Sequence, residues 1–146
     1  MLNEEIMLLR IMALFAFLVC GSLTTALASE TAITLPTDVQ WAPVTEKGIP
    51  PGAYKAFIRG RESDKCGQLQ LAKFTDGFVY PWHVNNIYGI YTILKGTLVI
   101  GFDKHHAASG EKSLPAGTIM QGLATEPHYG RAIGETIFEI YWLCSK

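Results

Sequence analysis

Four histidines are the side chains of this sequence best suited to bind a metal ion or to transfer a proton. His105 and His106 lie in the polar segment DKHHAASGEK, so we expect both in an exposed loop. His83 and His128 each lie within two residues of a proline and close to β-type segments. An imidazole inside a small domain needs a hydrogen-bond partner or a metal ion. His83 and His128 are therefore the candidate site, although each alone is also compatible with a hydrogen-bonded core or rim residue.

The residues around His83 have a specific spacing. Gly77, His83, Asn85, Gly89 and Gly96 follow the pattern G-x5-H-x-N-x3-G-x6-G. This stretch resembles the first motif of the cupin family, G-x5-H-x-H-x3-4-E-x6-G. The intervals agree, and two of the side chains differ.

The residues around His128 resemble the second cupin motif, G-x5-P-x-G-x2-H-x3-N. Gly117, Leu123, Thr125 and His128 occupy its first four positions. The segments PPGAYKAFIRG, LPAGTIM and GETIFEIYW are similar to small single-domain bacterial cupins, so the resemblance covers most of residues 41–142. It implies an all-β fold, a single antiparallel β-barrel of the jelly-roll type, with the site inside the barrel.

The same resemblance implies which residues would hold a metal ion. In metal-bearing cupins two histidines and a glutamate of the first motif join the histidine of the second. His83 and His128 match the first and last of these ligands, whereas Asn85 replaces the second histidine and Gly89 replaces the glutamate. An amide oxygen is a weak ligand for transition metals, and glycine offers no side chain. One divalent ion (Fe, Mn, Ni or Zn) and no metal at all remain equal alternatives.

Other residues are candidates to complete the site. The Tyr91 phenol is expected in the space that Gly89 leaves open, and Glu126 is a possible metal ligand beside His128. Glu139 is a further candidate, and a surface position is the alternative for both glutamates. The predicted ligand pocket comprises His83, Asn85, Tyr91, His128, Trp82, Tyr88 and Tyr129. The last three are aromatic residues that suit the wall of a small-molecule site or, equally, packing at the barrel rim.

Three functions are compatible with these residues. The first, which we favour, is binding of a small molecule in the barrel with a degenerate metal site. The second is a metal-dependent enzyme, dioxygenase- or isomerase-like, that uses His83, His128 and a replacement ligand. The third is a metal-free acid–base enzyme in which one histidine carries the proton and Tyr91 assists.

The elements that must position these residues are short strands. Alternation at 68–71, β-type composition at 89–94 and 97–102, and further runs at 118–123 and 136–143 predict an antiparallel sandwich or barrel. Lys95-Gly96 predicts a tight hairpin turn between the second and third of these runs. In the last run, Phe138, Ile140 and Trp142 share one face.

The first residues predict export. Residues 11–28, IMALFAFLVCGSLTTALA, follow Arg10 and end in small residues two apart, as a signal peptide does. We therefore expect a signal peptide at 1–28, an extended arm at 29–55 and a barrel domain at 56–146, in a periplasmic or secreted protein without a membrane span after cleavage. An uncleaved anchor, a lipid anchor at Cys20 and a start at Met7 are the alternatives.

The charge balance bears on the expected partners, and the cysteine content bears on a disulfide. The chain has 12 Lys and Arg against 13 Asp and Glu, which gives no electrostatic reason to expect a nucleic acid or an anionic membrane surface as partner. The partner we expect is the small-molecule ligand of the predicted pocket. Cys66 and Cys144 remain after signal removal, and a disulfide between them and two unrelated thiols are equally compatible with the sequence. Because cupins commonly pair through edge strands or swapped arms, the resemblance also implies a homodimer.

Overall fold

The structure is a computed structural model that describes residues 31–64, 66–105, 108–122 and 124–144. The predicted signal peptide, Cys20 and His106 lie outside these residues. The described part is nearly all β, as the sequence predicts, with strands β1 (Ala42–Pro43), β2 (Ala53–Arg59), β3 (Leu69–Phe74), β4 (Val79–His83), β5 (Gly89–Gly101), β6 (Glu111–Pro115), β7 (Ile119–Gly122) and β8 (His128–Trp142). Pro36–Asp38 and Ala108–Gly110 form short 3-10 helices. Among the described residues, no helix has the length and apolar character needed to cross a membrane.

The eight strands form one antiparallel hydrogen-bonded sheet in the order β1-β2-β3-β8-β5-β6, and β4 and β7 pair with β8 and β5. The two long strands, β5 and β8, pair along their whole length. One part of β8 also pairs with β3, and its first part pairs with β4. Each long strand thus belongs to two groups of short strands, which gives the antiparallel jelly-roll barrel that the sequence predicts.

The predicted hairpin at Lys95-Gly96 is wrong, because β5 continues through both residues. Lys95 pairs with Ile137 and Thr97 pairs with Ile133, so Gly96 alone lies opposite three residues of β8. This is a β-bulge, and the positive φ of Gly96 (72°) absorbs it. A Cβ at this position would lie 2.5 Å from the carbonyl oxygen of Glu135, so only glycine fits here. Pairing with β8 on both sides of the bulge keeps the strand extended where the local signal predicts a turn.

The sheet begins inside the segment predicted as an arm. β1 pairs with β2, and β2 itself starts at Ala53. The Lys73 ammonium lies 4.5 Å from the centroid of the Trp41 ring and 4.8 Å from that of Tyr54. These cation–π contacts join the residue before β1 to β2 and β3.

The side chains that face inward from β3, β5 and β8 make the hydrophobic core. Its buried members include Ala72, Phe74, Tyr91, Ile93, Leu98, Ile100, Phe138 and Ile140. Phe138 and Ile140 alternate with outward residues as the sequence predicts, and Trp142 packs against the same cluster. The core fills one part of the barrel interior and leaves a cavity in another.

A disulfide joins Cys66, ahead of β3, to Cys144, after the end of β8. The bond spans 78 residues of sequence. Two backbone hydrogen bonds lie next to it, from Gly67 N–H to the Trp142 carbonyl (2.8 Å) and from Trp142 N–H to the Gln68 carbonyl (3.1 Å). In the chain-entropy model, closing a loop of this length stabilises the fold by about 4.5 kcal/mol. The disulfide thus ties the last strand to the body of the sheet.

Candidate ligand-binding site

The barrel contains a cavity of about 270 Å³. Its apolar floor is formed by Ala72, Phe74, Leu98, Ile100, Phe138 and Ile140, which come from β3, β5 and β8. The inward positions of a strand recur every two residues, so the same alternation that builds the core also lines the cavity. An apolar enclosure with a few polar groups is the usual composition of a small-molecule site.

His83 and His128 lie side by side in this cavity. His83 ends β4 and His128 begins β8, and antiparallel pairing sets the two residues directly opposite each other. Their ring centroids are 4.2 Å apart, with the ring planes inclined by 60°. His128 is only 3% exposed. Long-range strand pairing therefore brings together two histidines that are far apart in the sequence.

Each imidazole is held by a backbone carbonyl close to it in sequence. His83 Nδ1 lies 2.9 Å from the Pro81 oxygen, and His128 Nδ1 lies 2.7 Å from the Glu126 oxygen. Because a carbonyl oxygen only accepts hydrogen bonds, Nδ1 is the donor in both cases. In the neutral ring this leaves the lone pair on Nε2. The cavity thus has two imidazole acceptors in defined orientations.

Burial keeps both rings neutral. It lowers the pKa of His83, a shift that the carbonyl of Pro81 opposes and the neighbouring His128 reinforces. Burial also lowers the pKa of His128, against the opposing effects of the Glu126 carbonyl and carboxylate. An ordinary histidine titrates near 6.5, so a lowered pKa means a neutral ring at pH 7.

Tyr91 and Asn85 form the neighbouring polar pair. The Asn85 amide donates to the Tyr91 hydroxyl at 3.1 Å. The backbone of Asn85 is fixed by its pairing with Ala124, and its backbone carbonyl accepts a hydrogen bond from the Thr125 N–H at 2.8 Å. Burial raises the pKa of Tyr91, so the phenol keeps its proton and can donate it to a ligand. Both residues line the cavity.

The Tyr91 ring lies against Gly89, where the resemblance would place a glutamate. A Cβ on Gly89 would lie 2.9 Å from Tyr91 Cε2 and 3.2 Å from Ile140 Cγ2. A larger side chain there would have to displace the phenol ring. The structure therefore places Tyr91 in the space beside Gly89.

The polar side chains at the imidazole pair are not a suitable set of ligands for a divalent transition metal. Two imidazoles, an amide and a protonated phenol stand together, and the carboxylates of the cavity lining, Glu46 and Glu62, are paired with Lys55. Within the described part of the chain, no group of three or more His, Cys, Asp or Glu is arranged to hold a metal ion. Divalent transition metals in protein sites usually have three or four strong ligands.

A second polar group in the cavity is charged. The Lys55 ammonium contacts Glu46 Oε1 at 2.9 Å and also the Glu62 carboxylate. The Lys55 side chain is 16% exposed, whereas the two glutamates are mostly exposed. Burial lowers the pKa of Lys55, but the hydrogen bonds and charges of the two carboxylates outweigh it and leave the pKa raised. These three residues, here called the Lys55 group, carry a net charge of minus one.

Two glutamines that line the cavity, Gln68 and Gln70, hold neighbouring segments by hydrogen bonds. The Gln68 amide donates to the Arg61 carbonyl at 2.6 Å and also to the Asp64 carbonyl. It thereby holds the turn that carries Glu62. Trp142 Nε1 donates to Gln70 Oε1 at 3.3 Å, so the indole forms a wall of the cavity with its polar atom satisfied.

Three aromatic residues predicted for the pocket do not line it. Tyr129 is 1% exposed and, unlike its neighbours His128 and Gly130, points to the other face of β8, where its hydroxyl donates to Glu111 at 2.6 Å. Tyr88 is 55% exposed, and Trp82 also lies outside the cavity lining. The aromatic walls are formed instead by Tyr54, Tyr80 and Trp142. Of these, only Trp142 was accessible to sequence reasoning, because it shares its strand parity with His128.

The two candidate glutamates also lie outside the cavity lining. Glu126 is exposed, and its backbone carbonyl, not its carboxylate, accepts the hydrogen bond from His128 Nδ1. Glu139 alternates with Phe138 and Ile140, so it is on the opposite face of β8. His105 lies exposed in a turn, as expected. Lys55 and its partners were missed because no local motif marks them.

Comparison with solved structures identifies the fold. The polyketide cyclase RemF from Streptomyces resistomycificus aligns with a TM-score of 0.64 at 15% identity, over 80% of this chain and 81% of that one. A predicted oxalate decarboxylase from Thermotoga maritima gives 0.60 at 16% identity, over 78% and 100%. A cupin superfamily protein from Desulfitobacterium hafniense gives 0.51 at 19% identity, over 63% and 78%. No family model and no curated protein matches the sequence.

The chain therefore has the cupin fold, and the prediction made from the two motifs is confirmed. The similar structures include enzymes with different chemistries, as their names state. At identities this low the likeness shows the fold and not the activity. The function has to be argued from the site.

Proposed function

We propose that this protein binds a small organic molecule inside its cupin barrel without a metal ion. The observation that carries the proposal is the imidazole pair in the cavity. Backbone carbonyls hold both Nδ1 atoms, and the Nε2 atoms are left for a ligand. Oriented polar groups above an apolar floor are the arrangement that small-molecule sites use for specificity.

The size of the cavity limits the ligand and its affinity. A volume of about 270 Å³ is at the small end of ligand sites. A ligand of about ten non-hydrogen atoms that gains roughly 0.6 kcal/mol per atom has a binding free energy of about 6 kcal/mol. This corresponds to a dissociation constant of roughly 10–100 µM.

A fragment screen on the wild-type chain and a cavity-filled variant tests the proposal. Ala72 is buried and lines the cavity, so Ala72→Leu fills space that a ligand needs. Ala42→Leu is the matched control, because Ala42 is exposed on β1. We expect some fragments to raise the melting temperature of the wild type and the control but not of Ala72→Leu.

Two results would overturn the proposal. One is that no fragment stabilises the wild-type chain at a concentration far above the expected dissociation constant. The other is that the same fragments stabilise Ala72→Leu equally, which would locate their binding outside the cavity. Circular dichroism of both variants checks that each has kept its strands.

A second candidate is metal-free acid–base catalysis, which the neutral imidazoles and the protonated Tyr91 phenol favour. Bound fragments are followed by NMR in deuterated buffer for hydrogen exchange at carbon or for conversion. Loss of the conversion in His83→Phe and His128→Phe would support catalysis. Binding without any exchange or conversion would exclude it for those molecules and leave the binding proposal intact.

We also propose that the protein is exported. The disulfide between Cys66 and Cys144 supports this, because such bonds persist in oxidising compartments. Cell fractionation followed by intact-mass analysis is the test. A periplasmic or secreted chain that lacks residues 1–28 is the expected result, and a full-length chain in the cytosol would contradict it.

The predicted homodimer is tested by light scattering on the same sample. A mass near 13 kDa, about that of one mature chain, would contradict it.

A further inference from the structure

The imidazole side of the cavity has an unusual balance of hydrogen-bonding groups. His83 and His128 present acceptors, because both Nδ1 protons are already donated to backbone carbonyls. With ring centroids 4.2 Å apart, the two acceptors lie close enough to take hydrogen bonds from neighbouring atoms of one molecule. A ligand that binds here must therefore bring two adjacent donors.

Tyr91 supplies the complementary donor. Its hydroxyl accepts a hydrogen bond from the Asn85 amide, which leaves the phenol proton for a ligand. A hydroxyl group both donates and accepts, so it can donate to an imidazole and accept from this phenol at once. We infer that the ligand is an uncharged molecule with two adjacent hydroxyl groups on an apolar frame, an inference that rests on the binding function proposed above.

The charges around the cavity disfavour ionic ligands. A carboxylate would meet two imidazole lone pairs and gain no hydrogen bond from them. An ammonium ion would lose its hydration, and the Glu46 and Glu62 carboxylates, which already contact Lys55, would offer it only their one excess negative charge at exposed side chains. An uncharged diol avoids both costs.

The remaining walls determine the frame that carries the hydroxyl groups. Leu98, Ile100 and Phe138 in the floor offer no hydrogen bonds. A ligand hydroxylated on every carbon would leave polar groups unpaired against them, which weakens binding. The frame that faces this floor is therefore apolar.

Four probes with the same cyclohexane ring test the inference. They are cis-cyclohexane-1,2-diol, cyclohexanol, cyclohexanecarboxylate and cyclohexylamine, titrated into the wild-type chain by calorimetry at pH 7.5. Loss of one neutral hydrogen bond costs about 1 kcal/mol, so cyclohexanol should bind roughly fivefold more weakly than the diol. We expect the carboxylate and the amine to bind more weakly than cyclohexanol.

Variants locate the binding. His83→Phe and His128→Phe keep a ring but remove the acceptor, so each should weaken the diol roughly fivefold and bring it to the level of cyclohexanol. His105→Phe is the matched control, because His105 is exposed and outside the cavity lining. If a variant does not fold, the probe series on the wild-type chain still decides the question.

The outcomes separate this inference from the proposed function. If the carboxylate or the amine binds more tightly than the diol, the ligand class is wrong and the binding function stands. The same conclusion follows if none of the probes binds while unrelated fragments still stabilise the wild type. If nothing at all stabilises the wild type, both fail.

Discussion

The imidazole pair and the Lys55 group line the same cavity but are built differently. His83 and His128 stand on directly paired residues of two strands, and backbone carbonyls fix their rings. Glu46 and Glu62 lie outside the strands, are mostly exposed and meet Lys55 through flexible side chains. The first group is neutral and held by the backbone, and the second is charged, with its two carboxylates exposed to solvent.

This difference indicates how the two groups divide the work of recognition. Buried, oriented hydrogen-bonding groups discriminate strongly, because a ligand that fails to match them leaves them unpaired. Ion pairs near the surface contribute about 0–1 kcal/mol and are screened by salt. Selectivity should therefore reside in the imidazole pair, with the Lys55 group setting the charge near the cavity.

The largest expected effect comes from the disulfide. Cys66→Ser with Cys144→Ser should lower the free energy of unfolding by about 2–5 kcal/mol. Gln68, which holds the turn carrying Glu62, is only two residues from Cys66, so hydrogen exchange should accelerate there more than at His83. Chemical denaturation and exchange measurements check both effects. Equal acceleration at both places would contradict the separation of the two groups.

A side chain at Gly89 should have the next largest effect. Gly89→Glu drives a side chain into the Tyr91 ring and should destabilise the fold by about 1–3 kcal/mol. The same substitution in a Tyr91→Ala background should cost less, because the obstructing ring is gone. A double-mutant cycle by urea denaturation measures this difference. If the cost is the same in both backgrounds, Tyr91 does not occupy the space beside Gly89.

The imidazole pair and Lys55 should change the free energy of unfolding in opposite directions as the pH changes. His83 and His128 have lowered pKa values in the folded chain, so the unfolded chain takes up protons first as the pH falls below about 6.5. The free energy of unfolding should therefore decrease with falling pH in this window. Lys55 has a raised pKa, so its contribution is present below about 10.5 and is lost only at higher pH.

Denaturation of the double variant His83→Phe/His128→Phe between pH 5 and pH 8 checks the assignment. Its stability should change less with pH than that of the wild type, whereas His105→Phe should follow the wild type. The carboxylate of Glu126 and the phenols of Tyr80 and Tyr91 surround the pair, and all remain in the double variant. An unchanged pH profile in the double variant would assign the effect to other groups.

The smallest effect is expected from the Lys55 group. Glu62→Gln removes one charge whose side chain is 65% exposed, so the free energy of unfolding should fall by less than about 1 kcal/mol. The difference from the wild type should shrink at high salt. Thermal unfolding at low and high salt measures it. A decrease in the free energy of unfolding several times larger than this would contradict the weak contribution expected of the Lys55 group.

Much of the fold was accessible from the sequence because strand alternation is local. Phe138 and Ile140 show their inward face by spacing alone, and the spacing of the two motifs predicts the cupin barrel. The hairpin at Lys95-Gly96 was wrong for the complementary reason. A local turn signal competes with long-range pairing, and the pairing of β5 with β8 prevails.

Only part of the candidate site could be predicted from the sequence. His83, Asn85, Tyr91 and His128 were found by spacing, and all four line the cavity. Tyr54, Lys55 and Tyr80 were missed because their inclusion depends on how β2 and β4 meet the cavity, which no motif reports.

The sequence by itself determined the residue types at motif spacing and the alternation that packs the barrel. Only the tertiary structure decided that His83 lies opposite His128, that carbonyls hold both Nδ1 atoms, and that Tyr91 lies against Gly89. The physical reason is the distance along the sequence over which each kind of interaction acts. Side-chain spacing acts within one strand, whereas ring orientation and partner choice depend on the register between strands distant in sequence.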